Sequence, residues 1–277
     1  MRLKDLLTDT LIIMGILNIT PDSFSDGGEY NSVDRAVQRA GEFIKQGALI
    51  LDIGGESTRP YADIVLPEDE ISRVVPVIEG IIKRYPYAVI SIDTRNAVTM
   101  KAALEVGARI INDVSALQHD PQSIKVAAEY NDAPVCLMHM KGTPQDMQDK
   151  PEYVNIIEEI MDFFRERIEF CADHRIRKER LILDPGIGFG KTLQHNLQII
   201  KHFDQFKELG CPLLFGASRK SFIAKLCDEA QTNERLGGSL AAAIYAAGQG
   251  ADILRVHDVQ ETAQALKIFS SIQSSEA

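Results

Sequence analysis

Cysteine is scarce in this sequence, and none of it stands in a metal-binding or redox spacing. The four cysteines, Cys136, Cys171, Cys211 and Cys227, lie far apart and form neither a Cys-x-x-Cys pair nor a Cys/His cluster. They read as reduced, mostly buried thiols of a cytosolic, and so cytoplasmic, protein. Positive charge is also in deficit, with 30 Lys and Arg against 40 Asp and Glu and a formal net charge of −10. A nucleic-acid partner needs a basic face that no part of the chain supplies, so any anionic ligand must be held by a few local cations. Long apolar runs are missing too. The run Leu11 to Leu17 follows Asp5 and Asp9 and stops at Asn18, so it reads as a first strand, neither signal peptide nor membrane span. No linker or low-complexity tract interrupts the 277 residues, and their 45% hydrophobic content is enough to bury one large core.

One stretch organises the rest. From Leu181 to Gly190 the chain reads Leu-Ile-Leu-Asp-Pro-Gly-Ile-Gly-Phe-Gly, an apolar run that meets Asp184 and breaks on a proline and glycines. This is the pattern of a buried strand ending in a loop that carries a carboxylate. Apolar runs end in the same way at Asn18, Asp52, Asp93, Asn112, His139, Ser218 and His257. The runs, Leu11 to Ile19, Ala48 to Ile53, Ala88 to Ile92, Arg109 to Val114, Pro134 to His139, Leu181 to Leu183, Leu213 to Phe215 and Ala251 to Val256, are nearly continuous rather than alternating. Burial on both faces of a parallel sheet produces that pattern.

Between the runs, apolar residues recur at helical spacing, as in Val33, Ala36, Val37, Ala40, Phe43 and Ile44, or Val154, Ile157, Met161, Phe164 and Ile168. Asp120 before Pro121, and Asp258 three residues before Glu261, predict helix starts. Gly47, Gly107, Gly210 and Gly250, each just before a strand, predict helix stops. Eight such units predict an α/β fold, a (β/α)8 TIM barrel forming a single domain over residues 1–277. An open doubly wound sheet is the alternative, and the unit count favours closure. In a barrel all strand ends face one mouth, where Asn18, Asp93, Asn112, Asp184, Lys220, Arg255 and His257 would converge. The long pieces Thr20 to Asn31 and Ser57 to Glu70 would arch over it as lids.

A single Asp or Asn at a strand end is commonly a helix cap or turn former, and Asp52 and Asp113 are read that way. The recurrence of such groups is different, because together they offer donors and acceptors to a flat polar heterocycle. Pro185 to Thr192 is not a Walker A motif, since proline stands where the first glycine is required and removes an N–H from the cradle. Nor does it match the dinucleotide fingerprint. Its glycines give the turn past Asp184 backbone freedom. Arg59, Arg219, Lys220 and Arg255 follow strand ends and, with His257, read as a local anion site that a diphosphate would satisfy. His139, between Met138 and Met140, reads as a core histidine.

Met14 to Gly28, Met-Gly-Ile-Leu-Asn-Ile-Thr-Pro-Asp-Ser-Phe-Ser-Asp-Gly-Gly, and Asp52 to Pro60, Asp-Ile-Gly-Gly-Glu-Ser-Thr-Arg-Pro, resemble the two signature segments of the dihydropteroate synthase family. The resemblance runs on through Ser-Ile-Asp-Thr at Ser91, Ile-Asn-Asp-Val at Ile111, Asp-Pro-Gly-Ile-Gly-Phe-Gly at Asp184, Ser-Arg-Lys-Ser at Ser218 and Arg-Val-His-Asp at Arg255. It covers essentially the whole chain, in order.

The resemblance implies a transferase of folate biosynthesis that joins 4-aminobenzoate to 6-hydroxymethyl-7,8-dihydropterin diphosphate, giving 7,8-dihydropteroate and diphosphate by dissociative substitution. By similarity Asp93, Asn112, Asp184 and Lys220 bind the pterin, with Met138 and Phe189 as apolar walls. Asn18 is the implied Mg²⁺ ligand and, with Thr58, Arg59, Arg255 and His257, holds the diphosphate. Asp93, Asp184, Lys220 and Asn18 are the implied catalytic groups. Phe24, Pro60, Lys220 and Ser221 form the implied aminobenzoate site, and Asp22, Asp26 and Tyr61 belong to the two mobile loops. Small-molecule substrates, a homodimer through helices of the last units, and sulfonamide binding are further implications. Tyr61 and Ala224 stand where the family commonly has glycine, and Lys141 where glutamine is frequent. Two alternatives are a corrinoid-linked methyltransferase with a similar pterin-binding barrel and a non-catalytic pterin-binding protein. The first would not need the Ser-Arg-Lys-Ser or Asp-Ser-Phe-Ser-Asp segments.

Overall fold

The computed structural model describes residues 3–7, 11–19, 28–57, 65–143, 147 and 151–275. Among them the strands are β1 (Ile12–Asn18), β2 (Ile50–Gly54), β3 (Val89–Asp93), β4 (Ile110–Asp113), β5 (Val135–Met138), β6 (Leu181–Asp184), β7 (Leu214–Phe215) and β8 (Ile253–Val256). They pair in parallel in the order β6-β5-β4-β3-β2-β1-β8-β7. A bridge between Leu183 and Leu213, with Leu183 N–H donating to the Pro212 carbonyl at 2.9 Å, joins the two ends. The expected barrel is therefore present, and the open sheet is not.

The helices are α1 (Leu3–Leu6), α2 (Gly28–Gln46), α3 (Pro67–Arg84), α4 (Ala97–Glu105), α5 (Ser123–Glu129), α6 (Ile156–Asp173), α7 (Leu193–Lys201), α8 (Ser221–Leu226), α9 (Leu236–Gly248) and α10 (Val259–Gln273). Their apolar stripes pack on the outer face of the sheet, where Phe43, Ile78, Ile81 and Phe164 are buried, joined by Phe203 and Phe206 of the 3-10 helix that follows α7. Each such side chain contributes about 1.5–3 kcal/mol by leaving water. The four glycines expected to stop helices all adopt positive φ, between 63° and 118°. Val154 departs from expectation: it precedes α6, is fully exposed, and takes no part in the helix's apolar face.

Inside the barrel the residues alternate in level. Ile12, Met14, Ile50, Val89, Ile110, Cys136, Ile182, Leu214 and Ile253 form an apolar floor, closed from below by Leu3 and Leu6 of α1. Two residues further along the strands, at Asp52, Ser91, Asn112 and Arg255, the interior turns polar. The floor supplies a rigid base, and the polar level above it is the bottom of the site. No helix among the described residues is long and apolar enough to cross a membrane.

Candidate active site

Strand geometry explains why so many polar residues meet. Asn18, Asp93 and Asp184 are the last residues of β1, β3 and β6, Asn112 lies one residue before the end of β4, and Arg255 one residue before the end of β8. In a parallel barrel all of these ends face the same mouth. Asp93, Asn112 and Asp184 are buried except for the side that opens there. Gly54 and Gly216 supply no side chain to fill the space between them; a Cβ on Gly54 would lie 3.5 Å from the Asp93 Cβ, and one on Gly216 3.8 Å from Asp184 Oδ2.

Arg255 crosses the floor of this mouth. Its Nε donates to Asp52 Oδ2 at 2.6 Å and its Nη2 to Asp93 Oδ2 at 2.5 Å, while Asn112 Nδ2 donates to the same Asp52 oxygen at 3.0 Å. Asp52, expected to cap or turn, is instead fully buried and ion-paired. Asp113, by contrast, is the expected turn former, accepting from the Ser115 N–H, the Ser115 hydroxyl and the Leu117 N–H. Burial raises the Asp93 carboxyl to about 7, with Arg255 opposing the shift and Asp52 adding to it. Burial works against charge on Arg255 as well, yet Asp52 and Asp93 together hold it firmly protonated.

Across the mouth, Asp184 Oδ1 accepts the Gly186 N–H at 2.8 Å. Burial raises its carboxyl, and Lys220 and the Gly186 N–H pull it back down. Lys220 places Nζ 4.6 Å from the centroid of the half-buried Phe189 ring and 2.5 Å from the Ile187 carbonyl oxygen. Burial lowers the lysine to about 8, with Asp184 opposing. Met138 is buried beside the same loop: a Cβ on Gly186 would lie 3.2 Å from its Cγ. The Gly-rich turn behaves as expected, since Gly186, Gly188 and Gly190 all have positive φ. At Gly186 no other residue fits, because an added Cβ would stand 2.0 Å from the His139 carbonyl oxygen.

Two features of the sequence are resolved differently from expectation. Arg219, grouped above with the anion-site cations, turns away to a two-point ion pair with Asp258, whose side chain therefore makes no cap on α10. Its backbone sits at φ 58°, held by Ser239 Oγ accepting the Arg219 N–H at 2.9 Å and by Arg235 Nη1 donating to the Arg219 carbonyl at 3.0 Å. Lys191, to which no role was given, is buried and donates to the carbonyl oxygens of Phe189 at 2.9 Å and His139 at 3.1 Å, with His139 Nδ1 at 3.0 Å. His139 is the expected core histidine, kept neutral first by burial and then by Lys191.

His257 lies beside Ser218, ring Nδ1 to Oγ 3.1 Å, at the end of β8, and Ser221 is exposed at the start of α8 next to Lys220. Asn18 is half-buried and pairs in register with Gly54, itself beside Asp93. Among the described residues no three His, Cys, Asp or Glu side chains gather as a metal site. Of the departures, Ala224 is buried in α8, and Lys141 is half-exposed over the Tyr153 ring at 4.3 Å and 3.6 Å from Glu159. Asp22, Phe24, Asp26, Thr58, Arg59, Pro60 and Tyr61 lie outside the described residues.

The chain as a whole has counterparts among known proteins. A model of the pterin binding enzyme family matches residues 14–257. The dihydropteroate synthase of Escherichia coli is 48% identical over 262 residues, covering 95% of this chain and 92% of that protein. The Yersinia pestis dihydropteroate synthase in a sulfonamide complex superposes with a TM-score of 0.91 at 44% identity, covering 96% of each chain. The Xanthomonas albilineans enzyme with 4-aminobenzoic acid does so with a TM-score of 0.90 at 42% identity, over 97% of this chain and 95% of that one. With family model, near-full-length relatives and barrel all in agreement, this chain belongs to the dihydropteroate synthase family.

Proposed function

We infer that the chain catalyses the attack of 4-aminobenzoate on the methylene carbon of 6-hydroxymethyl-7,8-dihydropterin diphosphate, releasing diphosphate and forming 7,8-dihydropteroate in folate biosynthesis. The observation that carries this reading is the convergence of Asp93, Asn112, Asp184 and Lys220 on one mouth whose floor Arg255 crosses, with His257 following it at the end of β8. Two carboxylates and an amide suit the donor-rich aminopyrimidinone edge of a pterin, with Met138 and Phe189 as walls. Asp93 Oδ1 is buried without a hydrogen-bond partner, an acceptor that such an edge would satisfy.

The chemistry follows from the charges. As the C–O bond to diphosphate lengthens, positive charge grows on the pterin, and Asp93 and Asp184 stabilise it from fixed positions. Arg255 and His257 receive the departing anion. A guanidinium has five N–H donors, so holding two carboxylates does not exhaust Arg255. Thr58 and Arg59 belong to the same leaving-group site. An arylamine is a competent nucleophile, so the reaction needs no strong general base; Phe24, Pro60, Lys220 and Ser221 seat the aminobenzoate, and a sulfonamide competes for that place. The donor set fits Mg²⁺: Asn18 offers one neutral oxygen at the rim, and this ion is held by one or two protein oxygens together with substrate phosphates. When bound it neutralises charge on the leaving diphosphate.

A homodimer is consistent with the exposed apolar side chains Tyr245, Ile268 and Ile272 on α9 and α10. A cytoplasmic setting is consistent with four free cysteines. The test is diphosphate release by purified protein with Mg²⁺ and the pterin diphosphate, with and without 4-aminobenzoate. Amine-dependent release coupled to dihydropteroate, reduced about 100-fold in Asp184→Asn, is expected. Pterin binding without turnover would overturn the reading in favour of a non-catalytic pterin-binding protein.

A further inference from the structure

Asp52 is fully buried and cannot itself touch a substrate. Its Oδ2 nevertheless takes two donors, Arg255 Nε at 2.6 Å and Asn112 Nδ2 at 3.0 Å. One oxygen therefore ties a residue of the leaving-group side to a residue of the pterin side. The level below is entirely apolar, with Met14, Ile50, Val89 and Ile110 filling the same barrel interior. An apolar residue at 52 would continue that packing, and replacing a buried ion pair by apolar side chains is often neutral or stabilising. Asp52 is costlier still, because its Oδ1 and the neighbouring Ser91 Oγ are buried without partners. Stability alone does not explain such an arrangement; a requirement on Arg255 and Asn112 does.

Two consequences of the geometry define that requirement. With Asp52 at Nε, Arg255 is shared between two carboxylates rather than drawn wholly to Asp93, 2.5 Å from its Nη2. Asp93 thus meets the guanidinium through Oδ2 alone, and its Oδ1 is left as an acceptor for a pterin. With its Nδ2 turned down to Asp52, Asn112 is left with its oxygen as the acceptor for a ring N–H. We propose that Asp52 is a positioning residue of the reaction, which locks Arg255 and Asn112 into one unit and so sets the leaving-group cation against the pterin site. This rests on the reading of the site as a pterin diphosphate site.

The experiment compares binding of 6-hydroxymethyl-7,8-dihydropterin and of its diphosphate, with Mg²⁺ present, in wild type, Asp52→Asn, Arg255→Met and the double variant. The ratio of the two affinities isolates the contribution of the diphosphate, which a general loosening of the barrel would not change. Asp52→Asn is expected to lower that ratio about tenfold and kcat about 100-fold, with KM for 4-aminobenzoate within about twofold of wild type. In the Arg255→Met background the same substitution is expected to leave the ratio unchanged. An unchanged ratio in the single variant, or an equal drop in both backgrounds, overturns the proposal. Wild type that binds neither ligand overturns the reading of the site and the proposal with it. Should Asp52→Asn not fold, wild type still decides: the Arg255 Nε–H is expected to stay protected from hydrogen exchange with and without pterin diphosphate, and rapid exchange in the complex overturns the proposal.

Discussion

Lys191 Nζ lies 3.0 Å from His139 Nδ1, and both side chains are buried. The same amine bonds the carbonyls of His139 and Phe189, so it fastens the loop carrying Phe189 to the end of β5. Lys191→Met would leave these buried acceptors without a donor, at a cost of about 1–3 kcal/mol. Thermal unfolding should register a fall of about 2–4 °C per kcal/mol, and pterin titration a weaker complex. An unchanged melting temperature would show that the loop is held by other contacts.

The pH dependence should report the mouth. Burial raises Asp93 to about 7 and lowers Lys220 to about 8. With carboxylate and ammonium both required, kcat/KM for the pterin diphosphate should be bell-shaped with limbs near these values, belonging to the coupled cluster.

Stability should carry the same signature with a definite sign. The folded pKa of Asp93 is above its ordinary 3.8, so its contribution is full below that value and is lost as pH rises through about 7. Asp93→Asn should therefore gain stability relative to wild type between pH 5 and pH 8, as melting curves at the two pH values would show. A difference independent of pH would contradict the assignment.

Arg219 occupies left-handed backbone immediately before Lys220, and its ion pair with Asp258 helps to keep it there. Removing that tie by Asp258→Ala should displace Lys220 and lower kcat/KM about tenfold or more, since small misplacements of catalytic groups are costly. Steady-state kinetics in the variant, with melting temperature as the control for folding, checks this.

Gly186→Ala should fail on two counts. The added methyl meets the His139 carbonyl oxygen, and the backbone φ of 70° disfavours any L side chain by about 1–2 kcal/mol before the clash is included. Soluble expression and denaturant midpoint are the measurements.

Much of this architecture was legible beforehand. Strands buried on both faces write themselves as continuous Ile, Leu and Val, so β1 to β6 and β8 were visible, and even the two-residue β7 lay inside its expected run. The glycines before strands marked helix ends because left-handed backbone is cheap only for glycine. What escaped was pairing at long range. Asp52 and Arg255 are 203 positions apart, and only barrel closure, which sets β8 beside β1 and β1 beside β2, brings them together. A carboxylate alternating with Ile50 and Gly54 on the inward face of an apolar strand was the available signal. Asp258 misled for a related reason: its spacing to Glu261 suits a cap, but a guanidinium from the preceding βα turn outcompetes a backbone N–H for the carboxylate. Val154 fitted the helical period by coincidence, two residues before α6 begins.

The helix α1 sets Leu3 and Leu6 under the barrel's apolar floor. Among the described residues α1 thus covers the end of the barrel opposite the mouth, so the floor cannot be reached from that side past Leu3 and Leu6. Asp93, Asn112 and Asp184 are buried at their strand ends, whereas Ser221 is exposed at the start of α8. With the heterocycle on the buried residues and the amine by Ser221, as proposed above, the heterocycle is expected to enter first.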